Sequence, residues 1–428
     1  MLVTQPVHQH SYETAVALDG GGLLHTFMTG LYDTQRGLAS RRWLRTVPRP
    51  LRTAVERELG RRRHPELRPD LVRTISRYHA LEVGLRRGSG LRCAGLTNWT
   101  QCRFDAAVAR TLVGLGGVQA VHAFEGAALE TFRAAGDIGL PTVLDVPSAS
   151  EYYRQAILAE GGDVRAFRTD RTRSERAEAD FLLVPSEFVE RCLVENGVPQ
   201  HKIVRIPFGV NPSLFLPPKS RDDVFRALFV GRIGLGKGVA YLLEAWSQLR
   251  LPKSELVLVG RPDSAGELLL NRYGGICRHV SHVPKAEVPR WYRAADIFVF
   301  PTLAEGSAYV SYEAMASALP VVTTPNCGSV VRDGVDGFVV PPRDVDALCD
   351  RIGFLYENRD HAWAMGASGR RRVCAGFTWQ HYAHRLTDFY RELLGDARPR
   401  RSPDALPPAV TATWRSDSPT ETAREAMQ

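Results

Sequence analysis

Residues 228–246 read LFVGRIGLGKGVAYLLEAW: a short apolar run, a glycine-rich loop and an amphipathic segment. This succession is typical of a buried strand that turns tightly into a helix, the repeating unit of a parallel sheet. The loop presents two cations, Arg232 and Lys237, directly after the strand. Open parallel sheets bind ligands at the carboxyl ends of their strands, so this loop is the first candidate binding site.

The loop also has the glycine and lysine spacing of a nucleotide-phosphate loop. An NTPase loop needs Ser or Thr directly after its lysine to bind magnesium, and Gly238 follows Lys237 instead. A dinucleotide fingerprint needs an acidic residue at the end of the next strand, but ELVLV (255–259) is followed by Gly260. Two cations five residues apart can instead clamp a diphosphate. The alternative is that both are solvated loop charges.

Short apolar runs alternate with amphipathic stretches along most of the 428 residues, which indicates an α/β protein with parallel sheets. A chain of this length exceeds one hydrophobic core, so two doubly wound units are expected. The proline-rich stretch 207–223 separates them. The runs predicted as strands are 14–18, 118–124, 141–146, 181–185, 202–207, 227–231, 255–260, 279–283, 297–301, 320–324 and 337–341.

Composition argues against a membrane-spanning, secreted, disulfide-rich or zinc-binding protein. No apolar run reaches the roughly 18 residues that a membrane span needs, and the first residues lack the features of a signal peptide, so we predict a cytoplasmic protein. Seven cysteines without a C-x-x-C pair argue against a disulfide framework and a zinc site, and we predict buried thiols.

A second group of candidate residues lies in PTLAEGSAYVSYEAMASALPVVTT (301–324). Glu305 and Glu313 straddle a predicted turn from strand to helix, with the helix expected to begin near Ser307. Eight residues along a helix leave the two carboxylates within ~80° of each other around its axis. Carboxylates accept hydrogen bonds from paired hydroxyls, and the free amides at the helix start can bind phosphate. The alternative is a surface helix with incidental acids.

These segments together resemble a known family. The run from VGRIGLGKG (230–238) through VPRWYRAADIFVFPTLAEGSAYVSYEAMASALPVVTT (288–324) is similar to the C-terminal domain of the retaining GT-B glycosyltransferases of glycosyltransferase family 4. The resemblance is good over residues 175–395 and loose over 10–150. It implies two Rossmann-like domains that face each other across a cleft.

The resemblance also implies a role for each candidate residue. Arg232 and Lys237 would bind the diphosphate of a nucleotide-diphospho-sugar donor, and Glu305 would contact hydroxyls of the transferred sugar, which makes these the predicted catalytic residues. Glu313 would bind the ribose hydroxyls. No cofactor and no metal ion are expected, because the two cations already face the diphosphate. The predicted donor-binding residues are Gly231, Gly306, Ser307, Ala308, Tyr309 and Glu313.

The resemblance also implies where the domains begin and end. We predict an acceptor-binding Rossmann-like domain over residues 1–208 and a donor-binding one over 209–377. A C-terminal helix over 378–395 is expected to pack back towards the first domain. Residues 396–428, rich in Pro, Ser, Thr and charge, are predicted to be disordered.

Candidates in the first half are a glycine triplet and a histidine. Gly20, Gly21 and Gly22 are expected to follow the first strand and resemble the family's first glycine-rich turn; a merely structural turn is the alternative. His122, at the end of a predicted strand, could face the cleft or be structural.

The sequence departs from the family pattern after the strand at 141–146. Many family members carry a His there beside the reacting sugar, and Pro147 stands in its place. Asp145 and Ser148 are the nearest polar residues, and Asp145 is a candidate for the acceptor or phosphate site.

The stretch from Arg36 to Arg92 holds sixteen arginines, no lysine and five acidic residues. It has only Trp43 and Tyr78 as aromatics, so it lacks a stacking platform for nucleic acid. Arginines among apolar residues suit an anionic membrane surface, which predicts peripheral attachment at the inner face of the membrane. An acidic acceptor or a solvated helix face are the alternatives.

The predicted function is retaining transfer of a sugar to an acceptor hydroxyl on a carbohydrate, a lipid-linked molecule or a small molecule. The products would be a polysaccharide, a glycolipid or a glycosylated metabolite. The alternatives are a hydrolysing sugar-nucleotide epimerase and a non-catalytic relative that binds nucleotide sugars.

Overall fold

The computed structural model describes residues 1–6, 10–33, 62–75, 78–80, 82, 94–149, 152, 169–218 and 222–395. The basic segment from Arg36 to Arg92 lies mostly outside the described residues, and the predicted disordered tail over 396–428 lies wholly outside them.

The first half of the chain forms a seven-stranded sheet in which all neighbouring strands run parallel. Its strands are β1 (Leu2–Gln5), β2 (Thr26–Thr29), β3 (Val72–Thr74), β4 (Val121–Phe124), β5 (Thr142–Asp145), β6 (Phe181–Val184) and β7 (Ile203–Arg205). The spatial order is β3-β2-β1-β4-β5-β6-β7. The order reverses between β1 and β4, as in a Rossmann sheet.

The helices described around this sheet are α1 (Ser11–Gly20), α2 (Ala94–Val113), α3 (Leu129–Asp137), α4 (Thr169–Glu178) and α5 (Glu187–Glu195). The start of α3 is fixed by a buried side chain of a neighbouring helix. Asp105 on α2 accepts hydrogen bonds from the amides of Glu130 and Thr131 at 2.8 and 2.9 Å. Since these amides lie in the first turn of α3, the carboxylate both caps α3 and complements its dipole.

The second half forms a six-stranded sheet, also parallel throughout. Its strands are β8 (Phe225–Val230), β9 (Ser254–Val259), β10 (Arg278–Val280), β11 (Ile297–Phe300), β12 (Val321–Thr323) and β13 (Gly337–Val339). They lie in the order β10-β9-β8-β11-β12-β13, so the reversal falls between β8 and β11. The helices that follow are α6 (Val239–Leu249), α7 (Ser264–Arg272), α8 (Val288–Arg293), α9 (Tyr309–Ala316), α10 (Val345–Glu357) and α11 (Arg359–Gly376).

The expected α/β class with two Rossmann-like sheets is confirmed, but the first strand is placed wrongly and β2 and β3 are not among the predicted strands. The run TAVAL at 14–18, predicted as the first strand, lies inside α1. The first strand is LVTQ, and its residues are fully buried. An apolar run of five residues does not distinguish a buried strand from a buried helix turn, because both place most of its side chains in the core.

The two sheets are joined through the loop that follows β11. Leu303 and Ala304 are buried in the apolar cluster of the first sheet, together with residues such as Val146 and Phe188. Tyr241 on α6 packs against the clusters of both sheets. The loop therefore carries apolar side chains of the second half into the core of the first.

The last described helix, α12 (Trp379–Gly395), returns to the first sheet. Its Tyr382 hydroxyl lies 2.9 Å from the Thr14 hydroxyl on α1, and both residues are buried. Leu386 and Tyr390 of α12 pack in the same apolar cluster as Val3.

Cysteine placement agrees only partly with the prediction of buried thiols. Cys192 and Cys327 are buried, but Cys374 is exposed; the cysteines in the described ranges are free. No helix in the described part of the chain combines the length and apolar character that a membrane crossing requires.

Candidate functional site

The predicted donor site lies where the strand order of the second sheet reverses. The loops after β8 and β11 border this point, where open α/β sheets leave a crevice for a ligand. Lys237, at the end of a 3-10 turn, forms an ion pair with Glu305, and 22% of each side chain is exposed. The structure thus brings together two of the three predicted catalytic residues from loops that are distant in sequence.

Close backbone packing fixes the loop that carries Lys237. A Cβ at Gly234 would overlap the carboxylate of Asp263, and one at Gly238, where φ is 66°, would overlap the carbonyl oxygen of Pro301. The amide of Leu303 also donates to the Gly236 carbonyl at 3.1 Å. Because glycine alone permits this approach, the loops after β8, β9 and β11 hold Lys237 rigidly at the crevice.

The charge of Lys237 is sensitive to its surroundings. Burial lowers the pKa of Lys237 to about 8, and although the Cys327 thiol counteracts this, the positive charge of Arg232 lowers it further. Arg232 itself is exposed and forms no ion pair within the described residues. Arg232, the third predicted catalytic residue, is therefore close enough to lower the pKa of Lys237. No ion pair among the described residues holds it beside Glu305.

The turn after Glu305 lies along the segment that follows β12. The amide of Glu305 donates to the Asn326 carbonyl at 2.9 Å, and the amide of Ala308 to the Cys327 carbonyl at 3.1 Å. The Ser307 hydroxyl donates to the Gly328 carbonyl at 2.9 Å. These bonds keep the turn out of helical conformation, so α9 begins at Tyr309, two residues later than expected.

These contacts decide which amides of the turn are available. The Ala308 amide is engaged by Cys327 and is not free in this conformation. For the amides of Gly306, Ser307 and Tyr309, the described residues supply no acceptor. Among the described residues, three of the four predicted phosphate-binding amides therefore have no hydrogen-bond partner at the amino end of α9.

Glu313 lies deeper along α9. Its Oε2 accepts a hydrogen bond from the Tyr292 hydroxyl at 2.8 Å, with Tyr292 on α8. Burial raises the pKa of Glu313, while the bond from Tyr292 and the charge of Lys285 act in the opposite direction. Within the described contacts, nothing joins this carboxylate to the Lys237–Glu305 pair.

The first sheet has a polar cluster at its own reversal point. His10 Nε2, just before α1, lies 2.8 Å from Asp145 Oδ2 at the end of β5, and His122 Nε2 on β4 lies 3.6 Å from the same oxygen. His122 Nδ1 lies 2.6 Å from the Tyr390 hydroxyl of α12. Burial alone would raise the pKa of Asp145, but His10 and His122 outweigh it and lower that pKa.

Two of the predicted residues, His122 and Asp145, are therefore neighbours in a buried network. His10 was missed by the sequence analysis because the first strand was placed too late in the chain. With LVTQ as β1, a histidine shortly after a strand end would have been the available signal.

The glycine triplet does not lie where it was expected, and that prediction is wrong. Gly20 ends α1 and Gly21 and Gly22 follow it, so the triplet is at the amino-end edge of the strands rather than after β1. Gly22 has φ 71°, and a Cβ on Gly21 would meet the Thr387 side chain of α12. The triplet ends α1, and the missing side chain of Gly21 leaves room for Thr387 of α12. It therefore serves helix packing rather than facing a ligand.

No site for a metal ion made of three or more His, Cys, Asp or Glu side chains is found in the described ranges. The absence of a metal from the reaction stays a prediction.

Comparisons with known proteins bear on the family and on the fold. The sequence model of the family described as Glycosyl transferases group 1 matches residues 225–358, which run from β8 through α10. Among solved structures, sucrose-phosphate synthase from Thermosynechococcus elongatus superposes with a TM-score of 0.65 at 20% identity over 92% of this chain and 98% of that one. HepE of Anabaena, solved with UDP and glucose, has a TM-score of 0.61 at 14% identity over 91% of this chain and 99% of that one.

The fold is that of the GT-B proteins, with two parallel Rossmann-like sheets. Over residues 225–358, the chain is similar to the group 1 glycosyl transferases.

Curated relatives carry related names. An MMP alpha-(1->4)-mannosyltransferase of Mycolicibacterium hassiacum is 29% identical over 232 residues, 52% of this chain and 56% of the relative. A D-inositol 3-phosphate glycosyltransferase of Kineococcus radiotolerans is 27% identical over 399 residues, 82% of this chain and 90% of the relative. A GDP-mannose-dependent alpha-(1-6)-phosphatidylinositol monomannoside mannosyltransferase of Mycobacterium tuberculosis is 29% identical over 259 residues, 55% and 63% of the two chains. The chain spans little more than half the length of the first of these relatives.

Proposed function

We propose that this protein transfers a glycosyl group from a nucleotide-diphospho-sugar to an acceptor hydroxyl and retains the anomeric configuration. The observation that carries the proposal is the Lys237–Glu305 ion pair at the reversal point of the second sheet, beside the open amides of the turn before α9. A cation, a carboxylate and free amides at one crevice match the charges and hydroxyls of a sugar diphosphate. Retention rests on the resemblance to family 4.

Charge stabilisation is the main catalytic effect in this proposal. As the bond between sugar and phosphate breaks, negative charge grows on the diphosphate while the sugar ring becomes positive. Lys237, the exposed Arg232 and the amides of Gly306 and Ser307 would stabilise that negative charge. Because the surrounding loops are packed backbone to backbone, these groups need little reorganisation, which is the condition under which such electrostatic stabilisation is largest.

The two carboxylates would bind different hydroxyls. When the diphosphate becomes the partner of Lys237, the Glu305 carboxylate becomes free to accept hydrogen bonds from hydroxyls of the transferred sugar. Glu313 uses Oε2 for Tyr292 and has Oε1 left to accept from a ribose hydroxyl.

The acceptor proton can pass to the leaving phosphate oxygen. This route needs no protein base, which is consistent with Pro147 at the position where many family members have His. It also needs no metal ion, because the cations and amides already neutralise the leaving group.

We also propose that the acceptor is a carbohydrate, a lipid-linked molecule or a small molecule, and that the enzyme acts at the cytoplasmic face of a membrane. Support for the membrane comes from the arginine-rich segment between Arg36 and Arg92. Sedimentation with vesicles of anionic and of neutral lipids tests this: binding to anionic vesicles that weakens with salt is expected, and equal binding to both would contradict it.

The activity is tested by incubating the protein with UDP-, GDP-, ADP- and TDP-sugars and a panel of sugar, inositol and lipid-linked acceptors. We expect one donor to yield a glycosylated acceptor by mass spectrometry, with the anomeric configuration of the donor by NMR. Inversion would contradict the retaining mechanism. Free epimerised sugar formed without an acceptor would identify an epimerase, and nucleotide binding without turnover would identify a non-catalytic relative.

A further inference from the structure

A serine of the first sheet contacts the donor-binding turn of the second. Ser186 lies between β6 and α5, and its hydroxyl donates a hydrogen bond to the carbonyl of Gly306, the residue directly after Glu305. Ser186 is 6% exposed, so water competes little for this bond. The contact joins residues 120 positions apart in the chain.

A second hydrogen bond holds the Ser186 hydroxyl in position. The Ser186 hydroxyl oxygen also accepts from the Val189 amide at 3.3 Å, which makes Ser186 the N-cap of α5. A hydroxyl has one donor hydrogen and two acceptor lone pairs, so it can cap the helix and bind Gly306 at once. The cap orients the donor hydrogen towards the turn.

The contact requires glycine at two positions, because a side chain at either would block it. A Cβ on Gly306 would overlap the carbonyl oxygen of Pro147, and one on Gly328, where φ is 61°, would overlap the Gly306 carbonyl and lie 2.7 Å from the Ser186 hydroxyl. The turn is therefore enclosed by backbone from the segments that follow β5 and β12.

A planar trans peptide fixes where the next amide points. The carbonyl of Gly306 and the N–H of Ser307 belong to one peptide group, in which the two bonds point in opposite directions. Since Ser186 holds the carbonyl on its side, the Ser307 N–H must point away from Ser186. No acceptor for that N–H exists among the described residues.

We propose that Ser186 is a positioning residue that aims the Ser307 amide at the donor from the opposite sheet. This inference rests on the proposed function, because the amide matters only if a phosphate or sugar oxygen binds there. It makes the shape of the donor site depend on the first sheet as well as the second.

Three substitutions of Ser186 separate its two roles. Ser186→Ala removes both the cap and the bond to Gly306. Ser186→Asp keeps an acceptor for the Val189 amide but has no hydrogen to donate, and Ser186→Thr keeps both. Asp344→Ala is the matched control, since Asp344 caps α10 by accepting from the Ala347 amide at 2.8 Å and has no hydrogen bond or ion pair to the turn among the described residues.

The first readout is hydrogen exchange of residues 305–309 in the protein without nucleotide. We expect faster exchange in Ser186→Ala and Ser186→Asp, and wild-type exchange in Ser186→Thr and Asp344→Ala. Wild-type exchange in Ser186→Ala would overturn the proposal. So would wild-type exchange in Ser186→Asp, because the cap alone would then account for the turn.

The second readout is the dissociation constant for UDP, GDP and ADP by calorimetry. We expect an increase of about fivefold to tenfold in Ser186→Ala and Ser186→Asp for the nucleotide that binds, and a change below about twofold in Ser186→Thr and Asp344→Ala. Unchanged binding in Ser186→Ala would overturn the role in positioning. If the wild type binds none of the nucleotides, the proposed function fails, and the exchange readout still decides whether Ser186 holds the turn.

Discussion

At the scale of single residues, the site depends on a lysine that is mostly buried and faces a carboxylate. The Lys237–Glu305 pair is partly shielded from water, so each charge acts more strongly on a ligand than it would at the surface. The same burial lowers the pKa of Lys237 to about 8. The Lys237 amine therefore loses its charge at mildly alkaline pH, and it can exchange Glu305 for a ligand phosphate as its partner. Lys237 is for this reason the most informative residue to test.

Replacing Lys237 by alanine should lower kcat by ~10²–10³, by analogy with the loss of one donor that stabilises a developing anion. Steady-state kinetics with the donor found by screening measures this. Arg391→Ala is the control, since Arg391 is an exposed residue of α12 with 60% of its side chain accessible. An unchanged kcat in Lys237→Ala would remove this residue from the mechanism.

Activity should also fall at alkaline pH. Since the pKa of Lys237 is lowered to about 8, the free enzyme loses this charge as the pH rises through that value. We therefore expect kcat/KM, which reports the free enzyme, to fall about tenfold per pH unit above pH 8. Lys237→Arg keeps its charge and should lack this alkaline decrease; a wild-type profile in that variant would assign the titration to another group.

Asp145 tests the buried network of the first sheet. Asp145→Asn removes the carboxylate that His10 and His122 both contact, and we expect a loss of about 1–3 kcal/mol in the free energy of unfolding. Because the pKa of Asp145 is lowered from 3.8, its contribution is present above about pH 4 and is lost as the pH falls through the lowered value. Urea unfolding over a series of pH values from 7 down to about 2 measures the difference between the two proteins, which should shrink progressively below about pH 4; a difference that stays constant over the whole range would contradict this.

At the scale of elements, glycines decide how closely the loops approach. Gly238→Ala should lower the free energy of unfolding by at least about 2 kcal/mol, since φ is 66° and the new Cβ would overlap the Pro301 carbonyl. It should weaken nucleotide binding as well, because the displaced loop carries Lys237.

Gly20→Ala is the matched control for that variant. Nothing lies within 4 Å of a Cβ at Gly20, which ends α1, so stability should change by less than about 0.5 kcal/mol and activity should not change. A large loss of activity in Gly20→Ala would restore the role that the sequence analysis gave to the glycine triplet.

The sequence predicted those elements whose signal is local. Runs such as FLLV and IFVF are buried strands because apolar residues fill both faces of a covered parallel sheet. The 14–18 run failed because it is too short to reveal its period, and β2 (TFMT) was missed because its buried threonines do not resemble a strand of that kind.

The candidate site was predictable only in part. Lys237 and Glu305 could be paired from their positions after strands, since parallel strands present their carboxyl ends at one edge. The engagement of the Ala308 amide by Cys327 and the approach of Pro147 to Gly306 depend on the packing of distant loops, which no local pattern encodes.

In the molecule as a whole, the two sheets contact each other around the donor-binding turn. Leu303 and Ala304 enter the first core, Ser186 binds Gly306, and Tyr309 stacks on Phe208 with ring centroids 4.9 Å apart. Along the chain, Leu303 and Ala304 precede Glu305, and Gly306 and Tyr309 follow it. The donor-binding turn is thus shaped where the two sheets meet, although its charged residues belong to the second sheet alone.

The proposed function requires the crevice of the second sheet to bind a nucleoside diphosphate through Arg232 and Lys237. Calorimetric titration of UDP, GDP, ADP and TDP into the wild type and into the Arg232→Ala/Lys237→Ala variant tests it most directly. We predict that at least one nucleotide binds the wild type and that its dissociation constant rises at least tenfold in the double variant. Equal affinity in the two proteins would show that these two side chains do not bind the nucleotide.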